Sequence, residues 1–273
     1  MNSPTPAVEA AFDAQAVAKV MVEARLGSRA LAGFPGSLPP NLTEAYSAQD
    51  AAIDLFPDTV VGWKSGRIPE PLQAELGADR VAGPVFSQTV WRPGSEPTRL
   101  PVIERGFAAV EAEYIYIMGE DAPADRTQWT AGDALALVED QLVGVEFAGC
   151  PLAEINRLGP KAVVCAFGNN AGLILGVAIP EWRERIDDTP GCEVLIDGVS
   201  VGRGAPSAIP GGPAASLAFL LGICAARGRP LKRGQLISTG AASGIHDIRA
   251  GQMARIAFDG LDEIRCLAVR AGA

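Results

Sequence analysis

Apolar positions recur along the chain at two spacings, and these divide it into a helical first fifth and a β-rich remainder. Phe12, Ala16, Val17, Val20, Met21 and Ala24 follow the three-to-four spacing of a helix face, and Gly27 stops the run. A Pro/Gly/Ser loop over 33–40 precedes a second helix. It starts near Thr43, has Glu44 in its first turn, and ends before Pro57. Residues 1–57 therefore read as a helical N-terminal arm or subdomain with a frayed first eight residues, and 58–273 as a β-rich main domain.

From Thr59 the period shortens. A β-branched run covers 59–64, and a short helix at 71–75 carries Pro71 in its first turn and Gly77 at its end. A strand at 81–86 leads into a Pro/Gly-rich connection that reaches Pro101 without an element of its own. Residues 108–118 make the longest strand-like run, and Thr130 caps a helix expected over 131–140. Further strands are expected at 142–148, 162–167 and 173–179. Residues 192–196 and 199–201 form a hairpin about Asp197-Gly198, a pair that suits the positive φ angles of a type I′ turn. A buried helix follows at 213–226, ending at Gly228, and strands at 235–239, 253–258 and 263–269 finish the chain. Many short strands without β-α alternation predict an α+β fold with a curled, mixed β core. No G-x-G-x-x-G lies between a strand and a helix, so the glycines at 202, 204, 211 and 212 read as turn residues.

Charge and composition narrow the chemistry. A formal net charge of −9 without a Lys/Arg run argues against nucleic acid and anionic membrane as partners. The one histidine, His246, removes multi-histidine zinc sites and the H-E-x-x-H proteases. Five scattered cysteines without a C-x-x-C pair read as small core side chains in a reducing compartment. The first twenty residues lack the basic-then-apolar order of a signal peptide, and no eighteen apolar residues run together. A soluble, cytoplasmic protein is expected.

The informative strand is 110–118. Alternate residues share a face, so Glu111, Glu113, Ile115 and Ile117 point one way and Val110, Ala112, Tyr114, Tyr116 and Met118 the other. Both faces are otherwise apolar, the mark of a strand buried on both sides. Two carboxylates about 7 Å apart on such a face repel each other and lose solvation. From spacing alone, a strand end emerging into water explains them as well as a site does. A third carboxylate, Glu146, stands mid-strand in 142–148, with no Lys or Arg within nine residues on either side. Three strand-interior glutamates without local counter-charge point to an all-oxygen site for Mg²⁺ or Mn²⁺.

Glu111-Ala112-Glu113 resembles the E-x-E of the fumarylacetoacetate hydrolase superfamily, in particular its 2-keto-4-pentenoate hydratase and 4-oxalocrotonate decarboxylase branch. The resemblance runs from Leu42 to Val269. Thr43-Glu44-Ala45-Tyr46 with Gln49-Asp50 resembles the helix before the site, and Gly62-Trp63-Lys64-Ser65-Gly66 the G-x-K-x-G segment. Gly168-Asn169-Asn170-Ala171 resembles the A-D-N-A segment, and Gly234 to Ala241 the G-D-x-I-x-T-G-A stretch. The resemblance implies a mixed β-roll behind the helical N-terminal part, and a homo-oligomer. It makes Glu111, Glu113 and Glu146 metal ligands, and Lys64 a proton-transfer group with a pKa lowered beside the cation. Ser87, Asn169, Asn170, Thr239 and Arg67 become candidate substrate-binding residues. Arg67 and Arg80 suit a distal carboxylate, although surface arginines are ordinarily solvated. His246 sits in a glycine-containing loop, where a histidine is ordinarily solvated too. It is nonetheless a second acid/base candidate, because its unperturbed pKa lies near neutrality.

Departures accompany the resemblance. Phe147-Ala148-Gly149-Cys150 replaces I-V-D-S-R, Ser87 and Asn169 stand where the hydratases carry acidic residues, and Gln235 replaces the aspartate of the G-D pair. The expected activity is a metal-dependent lyase, hydratase-like, on a small 2-hydroxydienoate or 2-oxo acid of aromatic catabolism. A 4-oxalocrotonate-type decarboxylase is the alternative within that class. A ligand-binding homologue with impaired catalysis is the alternative outside it: Ser87 and Asn169 favour it, and the intact Glu111, Glu113, Glu146 and Lys64 weigh against it.

Overall fold

The computed structural model describes residues 11–186 and 189–272; the expected frayed first eight residues lie outside the described residues. Helix α1 (Ala14–Leu26) is capped by Asp13, whose side chain accepts from the amides of Gln15 and Ala16. Helix α2 (Leu42–Leu55) is capped by Asn41 through the Glu44 amide. Val17 and Met21 of α1 and Ala45 and Tyr46 of α2 are buried in one core with Trp63 and Phe86 of the β-rich part.

The β core is built of two mixed sheets. The larger runs β2 (Arg80–Phe86), β1 (Val60–Arg67), β10 (Leu236–Ser238), β5 (Phe107–Met118), β6 (Val138–Cys150), β7 (Asn170–Ala178) and β3 (Val90–Trp91), with β11 (His246–Asp247) also paired to β5. Pairs β1–β10 and β3–β7 are parallel and the rest antiparallel. Strands β2 and β7 come into contact, so the sheet curls into a roll. The smaller sheet is ordered β4 (Thr98–Val102), β13 (Ile264–Arg270), β12 (Met253–Phe258), β8 (Cys192–Ile196), β9 (Val199–Gly204). Its hairpin turn has φ of 50° at Asp197 and 81° at Gly198, as a type I′ turn requires.

Curling separates two cores. Outward side chains of β5 and β6, such as Tyr114, Val145 and Phe147, join the large core, to which the helices also contribute. The inward face forms a small apolar plug of Val85, Ile115, Leu142, Leu173, Leu175 and Leu236. On β5 this plug continues the alternation of Glu111 and Glu113, so one end of the inward face is apolar and the other carries carboxylates.

Three local expectations are corrected. The helix over 131–140 ends early: α4 is Ala131–Leu135, still capped by Thr130, because residues from Val138 onward pair with the end of β5. The strand expected at 162–167 is helix α6 (Pro160–Cys165) followed by a 3-10 turn over Phe167–Asn169. Pro160 occupies the first turn, and α6 packs on α2, which overrides the β preference of Val163-Val164. The connection before Pro101 holds β3 and most of β4.

The turn after α6 is tightly constrained. Phe167, Gly168 and Asn169 have φ of 60°, 63° and 66°, and the backbone of this turn lies against Gly83 of β2. A Cβ on Gly83 would overlap the Phe167 carbonyl and Gly168 Cα. Gly83→Ala is therefore expected to cost about 1–3 kcal/mol through displaced backbone, as read by urea denaturation. Wild-type stability in that variant would show that the turn shifts freely.

Candidate metal centre

Glu111 and Glu146 face each other in register across β5 and β6, and Glu113 faces Gly144, where the Ile115 side chain fills the space a Cβ would take. One carboxylate oxygen from each of the three glutamates lies within 4.8 Å of the others, and all three residues are buried. A divalent cation bonds oxygen at about 2.0–2.6 Å, so oxygens within roughly 5 Å of one another can share it.

The counter-charge absent near Glu146 in sequence comes from β1. Lys64 Nζ is 3.1 Å from Glu146 Oε2, with both side chains nearly inaccessible. Burial alone would lower the Lys64 pKa, but the charges of Glu146, Glu111 and Glu113 outweigh it and the pKa is raised. With the carboxylates as its neighbours, the lysine is thus an ammonium, in contrast to the lowered pKa expected beside a cation. Burial and the charge of Glu146 push Glu111 up to about 8, against a smaller opposing effect of Lys64. Burial, then Glu146 and Glu111, hold Glu113 well above the usual carboxylate range.

Hydrogen bonds fix the carboxyl oxygens of Glu146 and Glu113. Asn170 Nδ2 donates to Glu146 Oε1 at 2.9 Å. Ser238 Oγ and the Gly240 amide both donate to Glu113 Oε2, the latter at 3.0 Å. Glu113 Oε1 and Glu146 Oε2 accept no hydrogen bond; Lys64 stands near the second as an ion partner only. Without a cation, protons on the Glu111 and Glu113 carboxyls supply the positive charge that Lys64 alone does not, and a divalent ion would take their place. The donor set fits a divalent cation.

A cleft of about 630 Å³ opens over this group, lined in part by Lys64, Glu111, Asn169, Thr239, Arg67 and Arg80. Thr239 lines it while its hydroxyl donates to the Tyr114 carbonyl at 2.7 Å. Asn169 Nδ2 donates to Asn156 Oδ1 at 3.0 Å, and its own buried Oδ1 has no partner. Arg67 and Arg80 are directly opposed on β1 and β2. Arg80 is tied to Asp79, the Pro210 carbonyl and Ser216, whereas Arg67 is exposed at the cleft wall.

Asn170, held on Glu146 behind the cleft, does not line it, and His246 and Ser87 lie apart from it. His246 Nε2 donates to the Ser243 carbonyl at 3.0 Å, and its ring abuts Gly202 of β9. Ser87 is exposed, and its Oγ donates to Asp58 Oδ1 at 2.5 Å. Sequence reading passed over Ser238 and Asn156. The signal for Ser238 was a hydroxyl alternating with Leu236 on a strand that leads into Thr239-Gly240.

Comparison with known proteins follows the geometry. The chain is 26% identical over 252 residues to the 2-keto-4-pentenoate hydratase of Burkholderia vietnamiensis, covering 89% of this chain and 92% of that one. It is 23% identical over 229 residues to the TodF product hydratase of Pseudomonas putida F1, covering 82% and 83%. Among solved structures, 4-oxalocrotonate decarboxylase from Pseudomonas putida G7, complexed with magnesium and adipate, superposes with a TM-score of 0.78 at 20% identity over 94% of this chain and 97% of that one. Fumarylpyruvate hydrolase from Pseudomonas aeruginosa, in complex with Mn²⁺ and pyruvate, gives 0.54 at 18% identity over 76% and 88%. No family profile matches the chain. The roll, the buried E-x-E and the long low-identity alignments agree: the chain has the fold of 4-oxalocrotonate decarboxylase and is similar in sequence, over most of its length, to two hydratases, one of them a 2-keto-4-pentenoate hydratase.

Proposed function

We propose that this chain is a divalent-metal-dependent lyase, hydratase-like, acting on a small 2-hydroxydienoate or 2-oxo acid, with Mg²⁺ or Mn²⁺ held by Glu111, Glu113 and Glu146 in a homo-oligomer. The observation that carries the reading is the buried triad itself, with one oxygen of each glutamate within 4.8 Å of the others and Glu113 Oε1 without a partner, beside an open cleft. The hydratase names of the two sequence relatives support the reaction class, and the magnesium and manganese of the solved relatives support the cofactor.

When bound, the cation supplies a Lewis acid for the substrate's C1 and C2 oxygens and stabilises negative charge developing at C2. Lys64 holds a proton on Nζ at the cleft floor and moves it between the enol oxygen and carbon. Asn170 and Ser238 keep the carboxylates of Glu146 and Glu113 oriented. Hydration would add water across the conjugated alkene; decarboxylation would instead break a C–C bond, release carbon dioxide and leave its electron pair on the remaining 2-oxo acid, which Lys64 can protonate at carbon. Neither Ser87 nor Asn169 titrates near neutral pH. Ser87 lies outside the cleft, so of the two only Asn169, which lines it, bears on activation of the attacking water, and there an amide stands in place of a carboxylate. Enol–keto exchange or decarboxylation is expected to be less impaired than hydration.

A second reading, decarboxylation of a 4-oxalocrotonate-type diacid, rests on Arg67 opposite Arg80. Like charges directly across a strand pair repel, and an anion in the cleft relieves this. Turnover of mono- and dicarboxylic substrates by wild type and Arg67→Leu separates the readings. If the substrate is a diacid, Arg67→Leu raises KM for the diacid about 10–100-fold, the loss of a charge-assisted hydrogen bond, and leaves the monoacid unchanged. Equal effects on both would remove Arg67 from substrate recognition.

A further inference from the structure

Outside the cleft, a second cavity of about 240 Å³ lies on the outward face of the roll. Phe56, Phe86, Phe107 and Phe147 wall it together with Ile103, and Arg25 from the last turn of α1 reaches into the wall. The Arg25 guanidinium donates through Nη2 to the Gly149 carbonyl at 2.7 Å and lies 5.1 Å from the Phe167 ring centre. Among the described residues no carboxylate forms an ion pair with it. Arg25 is half-buried, whereas the nearly inaccessible side chains of Arg80 and Arg227 pair with Asp79 and Asp50.

A guanidinium has five N–H donors in a fork that matches a carboxylate, and the Gly149 carbonyl takes one. Withdrawing such a charge from water without an anion is costly. Burial lowers the Arg25 pKa to about 10, with the Cys150 thiol opposing the shift, and the group stays charged at neutral pH. The remaining walls are mostly aromatic and aliphatic, with Ser28 and Thr89 as the hydroxyl-bearing residues among them. A cavity of about 150 Å³ already holds benzene, so this one has room for a ring bearing a carboxylate.

We propose that this cavity is a binding site for a small aromatic monocarboxylate, its ring among the phenylalanines and its carboxylate on Arg25, separate from the metal cleft. Glu146 points inward on β6 and its neighbour Phe147 outward, so the two sites stand back to back across that strand. Phe107 lines both.

Benzoate titrated calorimetrically into the Mg²⁺-loaded chain tests the proposal. Binding is expected with a dissociation constant on the order of 1 mM, and it should persist in saturating pyruvate, a small 2-oxo acid directed to the cleft. Arg25→Gln, which keeps a donor for Gly149, should weaken benzoate at least about tenfold, one bidentate charged pair. Benzamide, the same ring without the charge, should bind wild type at least about tenfold more weakly, a comparison that needs no variant to fold. Absence of benzoate binding, displacement by pyruvate, equal binding of benzamide, or unchanged affinity in Arg25→Gln would each overturn it.

Discussion

Lys64→Met is expected to lower turnover by about 10²–10⁴-fold, the range for loss of a positioned general acid or base, while Mg²⁺ affinity stays the same or rises. The two effects separate because Lys64 has two roles in the geometry. Its ammonium lies among three buried carboxyl groups, at 3.1 Å from Glu146. Removing it deletes a competitor for the cation, and methionine keeps the aliphatic volume inside the roll. It also lines the cleft, and methionine carries no proton to transfer. Steady-state kinetics with a parallel calorimetric Mg²⁺ titration reads both. Unchanged turnover would move the acid/base role to His246 or to water; lost metal affinity would show that Lys64 is needed to build the triad.

Glu111→Gln should reverse sign with metal. At neutral pH without a divalent ion, the variant is expected to be more stable than wild type by about 1–3 kcal/mol. The basis is a carboxyl pushed up to about 8 by burial first and the charge of Glu146 second. A group whose folded pKa is raised contributes stability that is complete below its unfolded value and lost as pH rises through the folded one. For wild type that window runs from about 4.5 to about 8. Stability of the metal-free wild type should therefore fall across this window, and the fall should be smaller in Glu111→Gln. In saturating Mg²⁺ the order inverts, because a ligand at 100 times its dissociation constant adds about 2.7 kcal/mol to wild type and the variant loses much of that binding. Urea denaturation at several pH values, with chelator and with Mg²⁺, measures the crossover. A variant that gains as much from Mg²⁺ as wild type does would remove Glu111 from the ligand set.

The site was more legible in sequence than its surroundings, for identifiable reasons. Glu111, Glu113 and Glu146 stand out because a carboxylate inside an apolar strand has no local means of solvation, and the buried triad has that character. Their counter-charge was visible only through family resemblance: Lys64 lies on β1, far from Glu146 in sequence, and reaches it through the β1–β10–β5–β6 order. Local misreadings arose where tertiary contacts outweigh propensity. Val163-Val164 favours a strand in isolation but packs on α2 as helix α6. Strand β3 has two residues, and β4 contains Pro101 and pairs in parallel with β13 from the far end of the chain. No short-range signal marks such a partner. The Arg25 cavity was invisible for the same reason, since α1, β2, β5 and β6 all contribute to it.

The central claim is tested most directly by the turnover of 2-hydroxypenta-2,4-dienoate on metal-stripped protein as Mg²⁺ is added back. The account predicts background turnover in chelator, and a rise that saturates at one Mg²⁺ per chain and is absent from Glu111→Gln over the same range. Activity that persists at full rate in chelator, or that never rises with Mg²⁺ or Mn²⁺ for this substrate and its dicarboxylic and 2-oxo acid relatives, would contradict it.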